Sequence, residues 1–178
     1  MIVDFWLKAG PKAWFAKSDA FDAELRDKFE VQHHEAARGE HDDWQSTATG
    51  ALSLILLLDQ VPRNIYRKSG HAFATDSLAR RHASDAIARG FDKVVEPKLR
   101  NFFYLPYEHS EAMADQDLSV ALCQAAADEI DDQGSLKWAK LHQDIIIRFG
   151  RFPHRNVALG RTSTPEERAF LADGGFSG

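Results

Sequence analysis

Apolar residues recur along this chain at three- and four-residue intervals, and no stretch of useful length alternates, so the pattern predicts helices from end to end. A short helical turn over 3–7 carries Phe5 and Trp6 and breaks at Gly10-Pro11. Phe21, Leu25, Phe29 and Ala36 fall near helical spacing over 19–37, which ends at Gly39. The next helix, 47–60, is apolar on nearly every side, and a helix of that kind belongs in the middle of a fold. Ser46 or Thr47 supplies its N-cap.

Another helix is predicted over 72–89, with Phe73, Leu78, Ala79, Ala83, Ala86 and Ile87 inward and Gly90 as its stop. A shorter piece spans 94–104, where Pro97 must sit in or near the first turn. Leu105-Pro106-Tyr107 reads as a turn before a long helix over 110–130, which Asp131-Asp132-Gln133-Gly134 breaks. The helix over 136–149 follows, with Trp138, Leu141, His142, Ile145 and Phe149 on one side. The last helix has the plainest start: Thr164 as cap, Pro165 first and Glu167 third, a capping box. Successive helices with short loops imply an all-α, single-domain stack of antiparallel helices or an irregular bundle over 1–178, with 174–178 as a loose tail.

Composition narrows this picture without redrawing it. A chain of 178 residues can bury a real core, and 44% hydrophobic with 28% charged residues is ordinary for a globular protein. The net charge of −5 argues against general nucleic-acid binding. The apolar run 51–58 falls far short of the roughly 20 residues needed to cross a bilayer, so neither a nucleic-acid nor a membrane partner is expected. Cys123 is the only cysteine, which excludes an internal disulfide and fits a reducing cytoplasm. No phosphate-loop or dinucleotide glycine motif is present and no cofactor is expected.

Two stretches read almost alike. Asp59-Gln60-Val61-Pro62-Arg63-Asn64 closes one apolar run, and Arg148-Phe149-Gly150-Arg151-Phe152-Pro153-His154-Arg155-Asn156 closes another. In each, a helix pattern meets a proline, which lacks a backbone donor, and then delivers an Arg-Asn pair. The two corners are expected to meet in space. Arg63, Arg67, Arg148, Arg151, Arg155 and Arg161 lie in or beside them, and arginine's planar fork suits carboxylate or phosphate. The expected ligand-binding set is therefore Asp59, Arg63, Asn64, Arg148, Arg151, His154, Arg155, Asn156 and Arg161. The alternative is a structural clasp, in which the same cations cap helix ends or pair with Asp59, Glu108 and Glu111. Asp59, at an apolar helix end, needs such a partner, and Arg151 of the second corner is the expected one.

Acid–base candidates are His109 and Glu111, at the start of a helix that Ser110 caps, and His142, which shares a face with Trp138, Ile145 and Phe149. His33, His34 and His41 with Glu30 and Glu35 offer metal-ligand types but no HExxH spacing, so no metal is expected and a solvated helix end is the reading.

Four strings in order, LILLLDQVPRNIYR, HAFATDSLARRHASDAIARG, NFFYLPYEHSEAMADQ and RFGRFPHRNVALGRTSTPEE, resemble the bacterial DUF924 family over essentially the whole chain. The resemblance implies an all-helical, tetratricopeptide-like arrangement and no particular reaction. Two functions stay open: binding of a small anion, phosphate or carboxylate, with an enzymatic role undecided, or a peptide- or protein-binding module with the arginines as its clasp. The oligomeric state is open as well.

Overall fold

In the computed structural model, which describes residues 1–177, Ala51, Leu52, Leu54, Ile55, Leu56, Leu57 and Leu58 are fully buried, as their all-round apolar pattern requires. The chain is all-helical, with no strand among the described residues, and none of its described helices is long and apolar enough to cross a membrane. Its contacts gather into two compact units, one of residues 1–67 and 71–106, the other of 68–70 and 107 onward.

The first unit holds α1 (Ile2–Ala9), α2 (Pro11–Trp14), α3 (Asp19–Ala37), α4 (Ala48–Ile55), α5 (Val61–Ile65) and α6 (Asp76–Ala88), with short 3-10 turns between several of them. Ser18 caps α3, its hydroxyl accepting from the Phe21 amide at 3.3 Å. Thr47 caps α4, accepting from the Gly50 amide at 3.1 Å, and a Cβ at Gly50 would collide with the Trp44 carbonyl. Trp6, Trp14 and Phe102 pack edge to face, with centroids 5.8 and 5.1 Å from Phe102.

The helix over 47–60 does not end where its pattern predicts. Between α4 and α5 lies a π segment, Leu56–Gln60, and the helix runs on through Pro62 to Ile65. The Val61 amide bonds to the Leu56 carbonyl, five residues back. Leu57 thereby loses its usual donor, and a π register would next offer it the amide that Pro62 lacks. Leu58, four residues before Pro62, faces the same loss. Side chains make good both: His33 Nδ1 lies 2.8 Å from the Leu57 carbonyl, and the Thr75 hydroxyl donates to Leu58 at 2.5 Å.

α7 (Leu105–Glu108) replaces the expected turn at Pro106, which takes an early helical position where no donor is needed. The second unit is built on a hairpin of α8 (Met113–Ile130) and α9 (Gln133–Phe149). α8 starts three residues later than its pattern predicts, because Ser110 accepts from Ala112 rather than capping a helix. Gln116 meanwhile donates to the Glu108 and Ser110 carbonyls at 2.8 and 2.6 Å. Asp131 turns left-handed and Asp132 caps α9 through the Ser135 amide, so the acidic break is also a helix start. α10 (Pro165–Ala172) opens with the full capping box at Thr164 and Glu167. Part of the expected loose tail packs against this unit: the Phe176 ring lies 4.6 Å from that of His142.

Candidate functional site

In the first corner every polar group faces another. Arg63 grips Asp76 with both terminal nitrogens, Nη1 to Oδ1 at 2.9 Å and Nη2 to Oδ2 at 3.0 Å. The same Nη1 meets Asp59 Oδ1 at 3.0 Å and donates to the Asp59 carbonyl at 2.8 Å. Gln60 Nε2 donates to Asp59 Oδ2 at 2.6 Å. Arg67 holds Asp22 through Nε at 2.5 Å and Nη2 at 3.0 Å, and Nη2 also donates to Asn64 Oδ1 at 2.8 Å. Asn64 Nδ2 donates to the Gln60 carbonyl at 2.8 Å. The carbonyls of residues 57 to 60 thus all accept from side chains, in turn His33, Thr75, Arg63 and Asn64. This repair follows from the proline and the π register together.

Around the π segment, His33 is buried rather than solvated as a helix end should be, and burial pushes its pKa below the usual 6.5. The Tyr66 hydroxyl donates to Glu30 at 2.8 Å and lies 3.0 Å from His34 Nε2. Burial and the Glu30 carboxylate push that phenol up to about 12.

The second corner is built differently. α9 ends on Gly150, left-handed at φ 69, whose amide bonds to Ile146. Phe152 is fully buried, and Arg155 lies over its ring at 4.5 Å. Arg151, expected to neutralise Asp59, instead grips Glu167 of α10, through Nε at 2.6 Å and Nη2 at 2.9 Å. The Asp59 carboxylate is met from its own helix, four residues on, a spacing that needs no distant partner. Glu167 also accepts from Asn156 Nδ2 at 3.1 Å and the Thr164 amide at 2.7 Å. Those donors, Arg151 foremost, hold its carboxyl down to about 2.

Arg161 pairs with both oxygens of Glu111 at 2.7 and 2.9 Å and donates through Nε to Asn156 Oδ1 at 3.0 Å. Burial alone would raise the Glu111 pKa, but Arg161 and the Phe152 amide outweigh it and hold the group below its usual range. A carboxylate so committed makes a poor general base. Asn64 and Asn156 do the same work in the two corners: each receives an arginine on Oδ1 and donates from Nδ2.

His142 is buried with Nδ1 2.9 Å from the Trp138 carbonyl and 3.1 Å from Glu108 Oε1. His109 approaches it at 6.4 Å between ring centroids, and Phe176 lies within 5.2 Å of His154. Of the acid–base candidates, His109 and His142 therefore come together, while Glu111 belongs to Arg161.

Arg148 stands apart from the other arginines. It gives Nε to the exposed Glu166 at 3.2 Å, and its two terminal nitrogens meet no acceptor among the described residues. Its guanidinium lies over Phe149 and Phe170 at 4.6 and 5.6 Å, on the wall of a cleft of about 360 Å³ between α9 and α10. Leu141, Ile145, Phe149 and Phe170 line the cleft, Phe176 contributes a further ring, and Asp144 adds a second charge.

A family of bacterial proteins of unknown function, DUF924, matches residues 2–175. The chain belongs to DUF924. A solved structure of a protein of unknown function from Agrobacterium tumefaciens is similar at 49% identity and a TM-score of 0.91, covering 97% of this chain and 95% of that one. No curated protein matches.

In this DUF924 chain, sequence reasoning found the arginines but missed most of their partners. Asp22, Asp76 and Glu167 lie 45, 13 and 16 residues from the arginines they hold. Only Glu167 carried a signal, its place in the capping box. Asp144, Phe170 and Phe176 showed nothing in sequence to connect them with Arg148.

Proposed function

We propose that this protein binds a small carboxylate with an apolar or aromatic body in the cleft between α9 and α10. One observation carries the reading: Arg63, Arg67, Arg151 and Arg161 each grip a carboxylate with two nitrogens, whereas Arg148 gives only Nε, to the exposed Glu166, and keeps both terminal nitrogens unused above an apolar floor. The two rings beneath its guanidinium limit its freedom, which lowers the cost of ordering it around a ligand. Two parallel N–H donors suit a carboxylate. A phosphate dianion fits less well, because one exposed guanidinium must balance it beside the Asp144 carboxylate. The remaining lining is apolar, and this favours retention over turnover. A cytoplasmic location accords with the single thiol, which is buried and pushed up to about 12 by that burial.

The test is a titration of the 15N-labelled protein with 3-phenylpropanoate and, separately, inorganic phosphate. Amide shifts at Phe149 and Phe170 with the carboxylate, weakened roughly fivefold to tenfold in Arg148→Ala and by added salt, are expected. Shifts unaffected by Arg148→Ala, or none at all, would sink the reading.

A further inference from the structure

The polar half of the cleft is made of two opposite charges on one helix. Asp144 and Arg148 are one turn apart on α9, a spacing at which an acid and a base ordinarily pair. Here they do not. No ion pair joins them: Arg148 is drawn over Phe149 and Phe170 and toward Glu166, and Asp144 has no hydrogen-bond or ion-pair partner among the described residues. An unpaired carboxylate and a guanidinium with both terminal nitrogens unused thus flank one apolar cavity.

We infer that the ligand of this cleft is a zwitterion, a free α-amino acid with an apolar or aromatic side chain, its carboxylate on Arg148 and its ammonium on Asp144. This rests on the carboxylate-binding reading above and specifies its ligand class. The geometry favours one small molecule over two separate ions. Helical rise places the two Cα atoms roughly 6 Å apart along the axis, and an α-amino acid carries both charges on a single carbon. Its ammonium and carboxylate can each reach one side chain while the side chain enters the apolar cavity. A volume of about 360 Å³ accommodates an aromatic side chain. A simple carboxylate satisfies Arg148 but leaves Asp144 repelling it, and a simple amine has the reverse fault. The zwitterion answers both, and the exposure of the pair keeps the binding weak and salt-sensitive.

Three ligands sharing one ring separate the possibilities: L-phenylalanine, 3-phenylpropanoate and 2-phenylethylamine, titrated by NMR at low salt against the full chain. L-Phenylalanine should bind at least about fivefold tighter than 3-phenylpropanoate, an advantage of about 1 kcal/mol. In Asp144→Asn that advantage should vanish, and 3-phenylpropanoate should bind the variant better than it binds the parent. In Arg148→Ala both carboxylates should lose affinity. If 3-phenylpropanoate binds the parent as tightly as L-phenylalanine and still depends on Arg148, the zwitterion is wrong and carboxylate binding stands. If no ligand gives Arg148-dependent shifts at the cleft, both fall. Thermal unfolding of each variant, expected within a few degrees of the parent, confirms that the comparison is made on folded protein.

Discussion

The two corners share a proline, an Arg-Asn pair and the use made of its asparagine, and differ in most of the rest of their construction. In the first, Pro62 lies inside a continuing helix, and the carbonyls left without donors must be served by side chains from α3, from Thr75 and from the helix itself. Its arginines close on carboxylates that are nearly inaccessible, Asp59 among them at 0% exposure. In the second, Gly150 has already ended the helix, Pro153 opens a 3-10 turn, and the arginines reach to α10 and to Glu111. A short motif sets which donors and acceptors are present. Whether the chain is still helical at the proline decides where they point.

The contrast can be broken by experiment. Arg63→Met should be the most damaging change, because it strands Asp59 and Asp76 in the interior; denaturant unfolding should show a loss of about 3–5 kcal/mol. Arg161→Met exposes the half-buried Glu111 to water instead, and should cost about 1–2 kcal/mol. Equal losses would mean that the two corners are equivalent clasps. Thr75→Val falls in the same range: it leaves the Leu58 carbonyl without a donor in a buried setting, for an expected loss of about 1–2 kcal/mol.

Acid should separate the corners at different pH. His33 has its folded pKa lowered from 6.5 by burial, so the unfolded chain takes up its proton first and stability falls as pH drops below 6.5. Glu167 is the opposite case. Its pKa is held down from 4.5 to about 2, so its contribution is complete above pH 4.5 and disappears as pH falls through about 2. Unfolding free energies measured across this range should lose part of their slope just below pH 6.5 in His33→Gln, and between pH 4.5 and 2 in Glu167→Gln. Arg148→Ala, the smallest of these effects, should change stability by less than about 0.5 kcal/mol, since its one ion pair is exposed.

What could be read in the sequence was local. The Thr164 box, the cap at Ser46 or Thr47, which the structure gives to Thr47, and the buried leucines each depend on residues within a turn or two of one another, and all stand in the structure. The π segment left no mark, because an extra residue in a run of leucines does not disturb an already all-apolar pattern. Nor could the pairing of Arg151 with Glu167 rather than Asp59 be read, since both acids suit it chemically and only the path of the chain after Gly150 selects one. The cleft has the same obscurity. Asp144 and Arg148 have the spacing of an ordinary helix-surface pair, and it takes the rings of Phe149 and Phe170 to show that the pair is open.

The π segment also acts as an angular offset. With 3.6 residues to a turn, one extra residue rotates everything beyond it by about 100° relative to the helix before it. The apolar half, Ala48–Ile55, and the charged half, Val61–Ile65, therefore keep separate phases on what looks like a single rod. Removing one residue from Leu56–Gln60 and relaxing the segment to α register would cancel the offset and leave Arg63 and Arg67 facing Asp76 and Asp22. Straightening it at full length would instead swing them away by more than a quarter turn, so the π register fixes the aim of every charge that follows it.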